Sequence, residues 1–544
     1  MSTHVRRLLP YAPYLLLGLL VMGPLLLPGF VLTMDMVFTP VLRMPAHVDN
    51  TWLFYTLLHV FNLVIPADVL QKVMLLSVFV LSGIGAHRLL SALRPQGQAR
   101  WSLALRVGSV LYEINPFVYD RLMAGQYGVL LGYALLPWFA LSLWKFVQKP
   151  GWKAAAYLAL WVTALSIVSI HSLGFVVVLA IVVLLACVRD RQKLKHVAMY
   201  GAGSVGLFLI ASSYWLLPAA MGQGRIADSL STFTESGRAA FATVDINGLT
   251  PLGSVLGLQG FWQETRGLAQ LPSDGIWIWE EVQLALWILL GIGAWQAWHQ
   301  QRKVASVVSG VAIVSIILAL GIGGEWLATH VPFFAGYREP QKFVALLSLA
   351  YAYFATWGAI WIFMHSKKRF AKPTLIAMVM LPLLYTPTLL WGAHGQLRAA
   401  AYPSDWFTAN RILDAQPGTG KVLVLPWHLY MSYGHAGRII ASPAASFYDR
   451  AVVTSDDPEL PGVAPQTHDV TREAVSRLLG LQDEVMFARE LQALGVDYVL
   501  VNKELDYRDY DFISSVPGVQ VLQDSQTLKL YRLTNDTIRQ HENN

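Results

Sequence analysis

The sequence predicts a polytopic α-helical membrane protein of about 11 spans that carries a C-terminal α/β extracytoplasmic domain. Of its 544 residues 55% are hydrophobic and only 14% are charged, whereas a soluble chain carries about 25% charged residues. The deficit is uneven, because residues 1–392 hold the long apolar runs and residues 393–544 have an ordinary polar composition. This change predicts a multispanning transmembrane domain at 1–392 and a soluble extracytoplasmic domain at 393–544.

Apolar runs close to the ~20 residues that cross a bilayer recur along the first domain. They lie at 11–28, 69–91, 102–119, 128–147, 154–170, 173–188, 197–219, 283–300, 304–327, 342–364 and 374–392. The two runs at 154–188 are counted as separate spans, because the break SIVSIHSLG can form a turn. An odd number of spans then places the C-terminal domain outside if the N-terminus is cytoplasmic.

The basic residues support this topology, because every dense basic cluster falls on one side of the membrane, as the positive-inside rule requires. The clusters are Arg88, Arg94 and Arg100; Lys145, Lys149 and Lys153; Arg189, Arg191, Lys193 and Lys195; Arg302 and Lys303; and Lys367, Lys368, Arg369 and Lys372. We therefore expect a multi-pass protein of the cytoplasmic (inner or plasma) membrane with a cytoplasmic N-terminus. The net charge of +6 reflects these clusters, and no nucleic-acid partner is expected.

Three further features restrict the class of protein. Arg6 and Arg7 precede the first apolar run, but no small-x-small cleavage site follows Leu27, so an uncleaved first helix is predicted. The single cysteine, Cys187, lies within an apolar run, which excludes a disulfide framework and a thiol metal site. Paired histidines with metal-binding spacing are also absent from the sequence.

The first outer loop, at residues 27–50, contains two candidate acids, Asp35 and Asp49. A transferase that acts on a hydroxyl needs an ionised and partly shielded base, and a carboxylate at the membrane surface suits that chemistry. Asp35 stands between Met34 and Met36, whose apolar side chains can shield it. The alternative is that Asp35 is an ordinary, solvent-exposed loop residue that caps the end of the first helix.

A second candidate group is the segment YREPQK at 337–342. Pro340 suits the first turn of a helix, so the segment is predicted to open the tenth span from the outer side. Helix N-termini favour anions, and Arg338 and Lys342 are predicted to bind a phosphate there. Glu339 is a candidate for a substrate or metal contact. The alternative is an interfacial anchor in which Arg338 pairs with a neighbouring acid.

A third candidate group surrounds Asp120, Arg121 and Gln126, in the segment INPFVYDRLMAGQYG. Charges this close to an apolar span are costly unless they face protein or a wet cavity. A substrate or metal site and a polar loop between two helices both satisfy that condition. His171, in the break between two apolar runs, is either a further substrate or metal contact or a hydrogen-bonded core residue.

The C-terminal domain shows mixed secondary structure. KVLVLPW, VDYVLVN, VQVLQ and LKLYRL predict short strands by their β-branched content. TREAVSRLLGLQDEVMFARELQALG predicts one or two helices that end at Gly495. PGTGKV lacks the first glycine and the Ser or Thr of a phosphate-binding loop. The long loop at 220–282, with Asp228, Glu235 and Glu264, is predicted to be interfacial or substrate-facing, with no assigned roles.

Three segments resemble the GT-C superfamily of polyprenyl-phosphate-sugar-dependent membrane glycosyltransferases, in particular its arabinofuranosyltransferase-like bacterial and archaeal relatives. They are PGFVLTMDMVFTP, INPFVYDRLMAGQYGVLLGYALLPW with the following SIVSIHSLG, and AGYREPQKF. The resemblance covers most of the membrane region and is loose in the soluble domain, at LGVDYVLVNKE. It implies an integral membrane enzyme that transfers a sugar from a polyprenyl-phosphate donor to an outer-surface glycan, lipid or protein acceptor, with inversion.

The resemblance also implies roles for residues. Asp35 is the implied catalytic base, and Arg338 and Lys342 are implied to bind the donor phosphate. The superfamily often has a paired-acid motif in this loop, whereas MDMV has a single acid, so the need for a divalent cation, Mg²⁺ or Mn²⁺, stays open. A lipid or solute transporter or flippase and a non-catalytic envelope-assembly factor on the same scaffold are the alternatives.

Overall fold

The computed structural model describes residues 9–95, 101–188, 190–223, 235–331, 333–460, 463, 469–481 and 484–534. Five residues named above lie outside the described residues. They are the arginines Arg6, Arg7, Arg100 and Arg189 beside the predicted spans, and Asp228 of the long loop. The chain forms two compact units. Unit 1 comprises Met1–Leu26, Pro45–Leu57 and Lys72–Leu397, and unit 2 comprises Leu27–Met44, Leu58–Gln71 and Arg398–Asn544.

Unit 1 is built from helices and connecting loops, and no strand lies in its described residues. Its helices, of which α2 and α3 extend into unit 2, are α1 Ala12–Met22, α2 Trp52–Asn62, α3 Ala67–Ala92, α4 Trp101–Glu113, α5 Pro116–Met123, α6 Tyr127–Gln148, α7 Trp152–Val168, α8 Ser172–Cys187, α9 Arg191–Ala211, α10 Ser213–Ala220, α11 Glu235–Ala240, α12 Pro251–Leu256, α13 Trp279–Gln300, α14 Arg302–Ala319, α15 Gly324–His330, α16 Val344–His365 and α17 Ala371–Tyr385. Short 3-10 turns lengthen several of them, including Pro340–Phe343 before α16. The further short segment Leu390–His394 contains left-handed backbone at Trp391, Gly392 and Ala393.

Within the described residues, six helical segments are long and apolar enough to cross a membrane. They are Leu9–Leu26, Ala67–Ala92, Tyr127–Gln148, Arg191–Ala211, Arg302–Ala319 and Pro340–His365. A seventh arises if Ala371–Tyr385 and Pro387–His394, bent by 69° at their junction, count as one span. The chain is therefore a mostly helical membrane protein, and the count of about 11 spans stays a prediction.

The run at 102–119, predicted as one span, is interrupted. Helix α4 ends at Glu113, and α5 begins at Pro116. The Asn115 side chain accepts a hydrogen bond from the Val118 backbone N–H at 3.2 Å and so caps the new helix. Proline at the first helical position also favours a helix start here. The sequence predicted a single span at 102–119 because the residues on both sides of this boundary are mostly apolar.

Helix α16 forms the centre of unit 1. The apolar window in Pro340–His365 is entirely buried, as expected for a helix that is hydrophobic on all its faces. It packs against α4, α13, α14 and α17. The backbone of α13 approaches α16 at Gly293, where an added Cβ would overlap the Phe354 carbonyl oxygen. This close packing fixes the helix that follows the YREPQK segment.

Unit 2 contains a mixed five-stranded sheet. The described strands of the whole unit are β1 Phe30–Val31, β2 Ala399–Ala400, β3 Lys421–Leu425, β4 Tyr430–Tyr433, β5 Arg438–Ala441, β6 Val452–Val453, β7 Val496–Asn502, β8 Val519–Asp524 and β9 Leu528–Leu533. Of these, β1 pairs with β2 and β4 pairs with β5, and the other five form the sheet. The sheet order is β6-β3-β7-β9-β8, with β6, β3 and β7 parallel and the β7–β9 and β9–β8 pairs antiparallel. Its described helices are α18 Ser404–Ala415, α19 Ala444–Phe447, α20 Val470–Leu481 and α21 Glu484–Ala493, and α20 and α21 contribute to its apolar core.

The segment that carries Asp35 belongs to unit 2. Strand β1 pairs antiparallel with β2, with Phe30 opposite Ala400. The Met34 backbone is held at β5, since its N–H donates to the Ile439 carbonyl at 3.2 Å and its carbonyl accepts from the Ala441 N–H at 2.9 Å. Unit 2 thus begins at Arg398 in its main segment, near the predicted boundary at 393, and additionally includes residues 27–44 and 58–71.

Candidate functional site

Arg121 is the centre of a buried polar cluster in unit 1. Its side chain is fully buried. Nη1 donates to Glu339 Oε2 at 2.8 Å and to Gln126 Oε1 at 2.7 Å, and Nη2 donates to Gln341 Oε1. Helix α5 presents Arg121, whereas the 3-10 turn before α16 presents Gln341. One guanidinium therefore connects two segments that are far apart in the sequence.

Aromatic rings enclose the same guanidinium. The Cζ atom of Arg121 lies 4.1 Å from the centroid of Phe261 and 5.2 Å from that of Phe117. A cation over an aromatic face is attracted by the ring quadrupole, more strongly where water is excluded. Phe261 thereby joins the loop between α12 and α13 to the cluster.

Glu339 and Lys342 form the second part of the cluster. Both residues are 4% exposed, and Lys342 Nζ lies 3.5 Å from Glu339 Oε2. Gln126 Nε2 also donates to Glu339, at 3.2 Å to Oε2. Burial alone raises the pKa of the Glu339 carboxyl, but the charges of Lys342, Arg121 and Arg338 outweigh burial and hold that pKa well below its usual range. Glu339 is therefore a carboxylate at neutral pH.

His171 receives a hydrogen bond from Lys342, since the lysine Nζ lies 3.0 Å from His171 Nε2. Burial lowers the pKa of His171 well below its usual value, and the positive charge of Lys342 lowers it further. The imidazole is therefore neutral, and its Nε2 accepts a hydrogen bond from the Lys342 ammonium group. Through this hydrogen bond His171 restricts the lysine side chain.

Tyr337 and Arg338 complete the segment. The Tyr337 hydroxyl donates to the His171 carbonyl at 2.8 Å and accepts from the Gly174 N–H at 2.6 Å. The Tyr337 ring stacks on Phe343, with a centroid separation of 5.3 Å. Arg338 is half-buried, and its Cζ lies 4.4 Å from the centroid of Phe241. The two side chains tie residues 337–343 to the turn before α8 and to the end of α11.

Asp120 and Glu264 line a small cavity beside Arg121, together with Tyr119, Met123, Phe261, Gln263, Leu268, Ala269, Gln270 and Leu271. Burial and the charge of Glu264 raise the pKa of Asp120, and Arg121 opposes that rise. Burial raises the pKa of Glu264 to about 7, against hydrogen bonds from the backbone N–H groups of Gly260 and Phe261. The pair holds protons more tightly than ordinary carboxyls do.

Asp35 lies on unit 2, with an exposed side chain between buried Met34 and Met36. The Tyr430 hydroxyl, on β4, donates a hydrogen bond to Asp35 Oδ1. Asp49 has a local structural contact, because its Oδ1 accepts from the Thr51 N–H at 2.8 Å and from the Thr51 hydroxyl at 2.7 Å, just before α2. Asp35 therefore faces outward, whereas Asp49 orders a helix start.

The structure brings seven of the sequence-predicted site residues into one unit and one polar neighbourhood. They are Asp120, Arg121, Gln126, His171, Arg338, Glu339 and Lys342. Sequence reasoning missed the roles of Glu264, Gln341 and Tyr337, which carry no local motif. Across the described residues no group of three or more His, Cys, Asp or Glu side chains is arranged to hold a metal ion.

Comparison with known proteins identifies the class. Residues 51–533 match the family described as alpha-(1->3)-arabinofuranosyltransferase, N-terminal GT-C domain, which places the chain among the GT-C membrane glycosyltransferases. More narrowly, since the match covers most of its length, the chain belongs to that family. The matched range includes the buried cluster and begins after Asp35 and Asp49.

Solved structures show the same fold. The chain is similar to arabinofuranosyltransferase AftD from Mycobacteria, determined by cryo-electron microscopy, with TM-score 0.62, 14% sequence identity and coverage of 98% of this chain and 40% of that chain. For a mutant of that protein the TM-score is 0.60 at 16% identity, with coverage of 98% and 42%. The chain thus spans about two fifths of the length of these proteins. No curated protein matches the sequence significantly.

Proposed function

We propose that the chain transfers a sugar from a polyprenyl-phosphate donor to a glycan, lipid or protein acceptor at the outer face of the cytoplasmic membrane. The buried cluster around Arg121 carries this proposal. It holds Arg121, Arg338 and Lys342 beside one strongly acidic carboxylate, Glu339. Three basic side chains gathered at one carboxylate attract an anion, and the phosphate of the donor is such an anion.

The reaction requires a base, and Asp35 is the proposed one. Its carboxylate removes the proton from the acceptor hydroxyl while that oxygen bonds to the anomeric carbon of the sugar. The bond from the anomeric carbon to the donor phosphate oxygen breaks with inversion, and polyprenyl phosphate leaves with the electron pair. The outward side chain of Asp35 and its hydrogen bond from Tyr430 support this role, since both favour an oriented and ionised carboxylate.

The leaving phosphate needs stabilisation of its growing negative charge. Fixed positive groups commonly supply a large share of such catalysis. Arg338, half-buried on Phe241, is the proposed direct partner, with a fork that suits phosphate oxygens. Lys342 adds its positive charge from within the cluster, where Glu339 and His171 hold it. Arg121, Gln126 and Glu339 are positioning residues for these two groups.

The family description suggests the sugar to test first. It specifies an α-(1→3)-arabinofuranosyltransferase, so arabinofuranose is the proposed sugar. Unit 2, with its mixed sheet, is proposed to lie outside the cytoplasm and to bind the acceptor or a partner. A divalent cation stays a proposed cofactor without assigned ligands.

The test uses purified protein in lipid vesicles with radiolabelled polyprenyl-phosphate arabinofuranose and an arabinofuranosyl oligosaccharide acceptor. We expect label to move into the oligosaccharide and one α-linkage to form per sugar consumed. Label that crosses between leaflets on an unchanged donor would instead indicate a flippase. A protein that neither transfers nor moves the donor, yet restores the envelope of a deletion strain, would indicate an assembly factor. Arg369→Gln, an exposed arginine that lies on Phe370, is the matched control for Arg338→Gln.

A further inference from the structure

The acid pair beside Arg121 has features that its neighbours do not explain. Asp120 is only 3% exposed, and its Oδ2 atom is buried without a hydrogen-bond partner within the described residues. Glu264 has a second such atom, Oε1. Buried polar atoms normally have partners, and each exception calls for an explanation. Both residues line the same cavity, so an absent partner inside it would explain both atoms.

Glu264 is rigidly held. Its Oε2 accepts hydrogen bonds from the Gly260 N–H at 2.6 Å and the Phe261 N–H at 2.7 Å. Gly260 has φ +91°, and an added Cβ would meet Thr243 Cγ2 at 2.8 Å, so this turn requires glycine. With Oε2 fixed, Oε1 is the oxygen left for a ligand.

We propose that Asp120 and Glu264 form a subsite that binds one hydroxyl group of a sugar. This inference rests on the proposed glycosyl transfer and extends it to substrate recognition. The cavity has a volume of about 20 Å³, and a site must exceed roughly 10–15 Å³ to hold a water molecule. A single hydroxyl fits that space, whereas a whole sugar ring does not.

A pair of acids that holds one proton can donate one hydrogen bond to a hydroxyl group and accept one from it. Two interacting carboxyls in a buried site share protons, because like charges so close cannot both ionise easily. In the proposed arrangement Asp120, whose pKa burial and the charge of Glu264 raise, keeps the proton and donates from Oδ2, which is otherwise unpartnered among the described residues. Glu264, held by two backbone N–H groups, accepts at Oε1. An alcohol both accepts and donates one hydrogen bond, so it satisfies both atoms.

Other ligands fit this cavity less well. A phosphate carries negative charge and would be repelled by Glu264. A divalent cation prefers six or more oxygen ligands, and the charge of adjacent Arg121 opposes it. The remaining polar side chains of the lining, Tyr119, Gln263 and Gln270, are also typical sugar contacts. A hydroxyl thus suits the charge, the size and the hydrogen-bonding capacity of the subsite.

Equilibrium binding to the full chain in detergent tests the inference without requiring turnover. The probes are polyprenyl-phosphate arabinofuranose and its 2-, 3- and 5-deoxy analogues in one arm, and an arabinofuranosyl disaccharide with matching deoxy analogues in the other. We expect one deoxy analogue, in one arm, to bind about tenfold or more weakly, as for a hydrogen bond to a charged group. The arm that responds identifies donor or acceptor as the source of the hydroxyl.

The variants Asp120→Asn and Glu264→Gln should abolish that discrimination, so that the parent sugar and its deoxy analogue bind equally. Glu325→Gln, an exposed carboxylate of unit 1, should keep it, and melting temperatures verify that each variant folds. Equal binding of all analogues by the wild type overturns this inference alone. Mn²⁺ binding that Glu264→Gln removes overturns it in favour of a cation site. A wild type that binds neither sugar probe overturns it together with the proposed function.

Discussion

Arg121 and Glu339 form a buried ion pair, with Arg121 Nη1 2.8 Å from Glu339 Oε2 and both side chains almost free of solvent contact. The pair joins α5 to the segment that opens α16. Removing one member of a buried ion pair leaves the other charged and unpaired, which costs far more than the pair itself contributes. The position of Arg338 and Lys342 in the proposed site therefore depends on this contact.

Arg121→Gln should destabilise unit 1 by about 3–5 kcal/mol, the usual effect of breaking a buried ion pair from one side. Thermal or denaturant unfolding of the detergent-solubilised chain measures the change. The double variant Arg121→Gln with Glu339→Gln should lose less than the sum of the two single losses, because neither member of the pair is then left charged without the other. A double variant whose loss equals the sum of the two single losses would contradict the coupling of the two residues.

Arg338→Gln should lower kcat/KM for the donor by about 10- to 100-fold, as expected when a charge-assisted contact worth about 1.5–3 kcal/mol is lost. The variant keeps the buried Arg121–Glu339 ion pair, so its melting temperature should fall less than that of Arg121→Gln. Arg369→Gln, with its own aromatic contact, should behave as wild type in both measurements. Unchanged donor kinetics in Arg338→Gln would remove this arginine from the proposed phosphate site.

Tyr337→Phe should destabilise the chain by about 1–3 kcal/mol, because the Gly174 N–H then loses its hydrogen-bond acceptor and the His171 carbonyl its donor. The movement of His171 should also weaken its contact with Lys342. Hydrogen exchange at Gly174, measured by mass spectrometry, should rise in the variant. Exchange at the wild-type rate would indicate that the hydroxyl is not needed to hold this turn.

His428 predicts a pH dependence of unit 2. It follows β3, and its two ring nitrogens lie 2.6 Å from Glu459 Oε1, in the loop after β6, and 3.1 Å from Asp506 Oδ2, in the loop after β7. Partial burial lowers the pKa of His428, but hydrogen bonds to Asp506 and Glu459 outweigh burial and raise it above the usual value. Only the imidazolium donates to both carboxylates.

The stabilisation from His428 should therefore be complete below its unfolded pKa and disappear as the pH rises through the folded pKa. Such partly exposed ion pairs contribute about 0–1 kcal/mol each, so the loss of unfolding free energy should be small. Urea unfolding between pH 5 and 9 measures it, because this range includes the usual histidine pKa of about 6.5. His428→Gln should flatten the profile. An equally steep profile in His428→Gln would assign the dependence to other groups.

Local sequence patterns predicted much of unit 1, since runs of apolar residues define helices in a membrane regardless of their partners. The interruption at Asn115 was missed, because a single capping residue hardly changes the mean hydropathy of a window. In unit 2 the predicted strands coincide with β3, β7, β8 and β9. The pairing of β1 with β2 could not be predicted, because two-residue strands far apart in sequence leave no periodic signal.

The candidate site was predictable only in part. Arg121, Glu339 and Lys342 attract attention because charges beside apolar runs are rare and need a reason. Glu264 lies in a polar loop where an acid is ordinary, and its importance arises from the cavity that it shares with Asp120. Gln341 is a neutral side chain whose contact with Arg121 depends on the packing of α5 against the segment before α16. Such tertiary contacts are invisible to composition and spacing.

The most direct test of the proposed transfer is complementation of a deletion strain by Asp35→Asn, with protein level verified and envelope glycans profiled by mass spectrometry. Asparagine keeps the shape of the side chain and removes the base. Asp511→Asn, an equally exposed acid of unit 2, is the matched control. The proposal predicts that Asp35→Asn alone lacks a defined sugar, with the missing mass of one pentose. A glycan profile equal to the wild type, at equal protein level, would contradict Asp35 as the base.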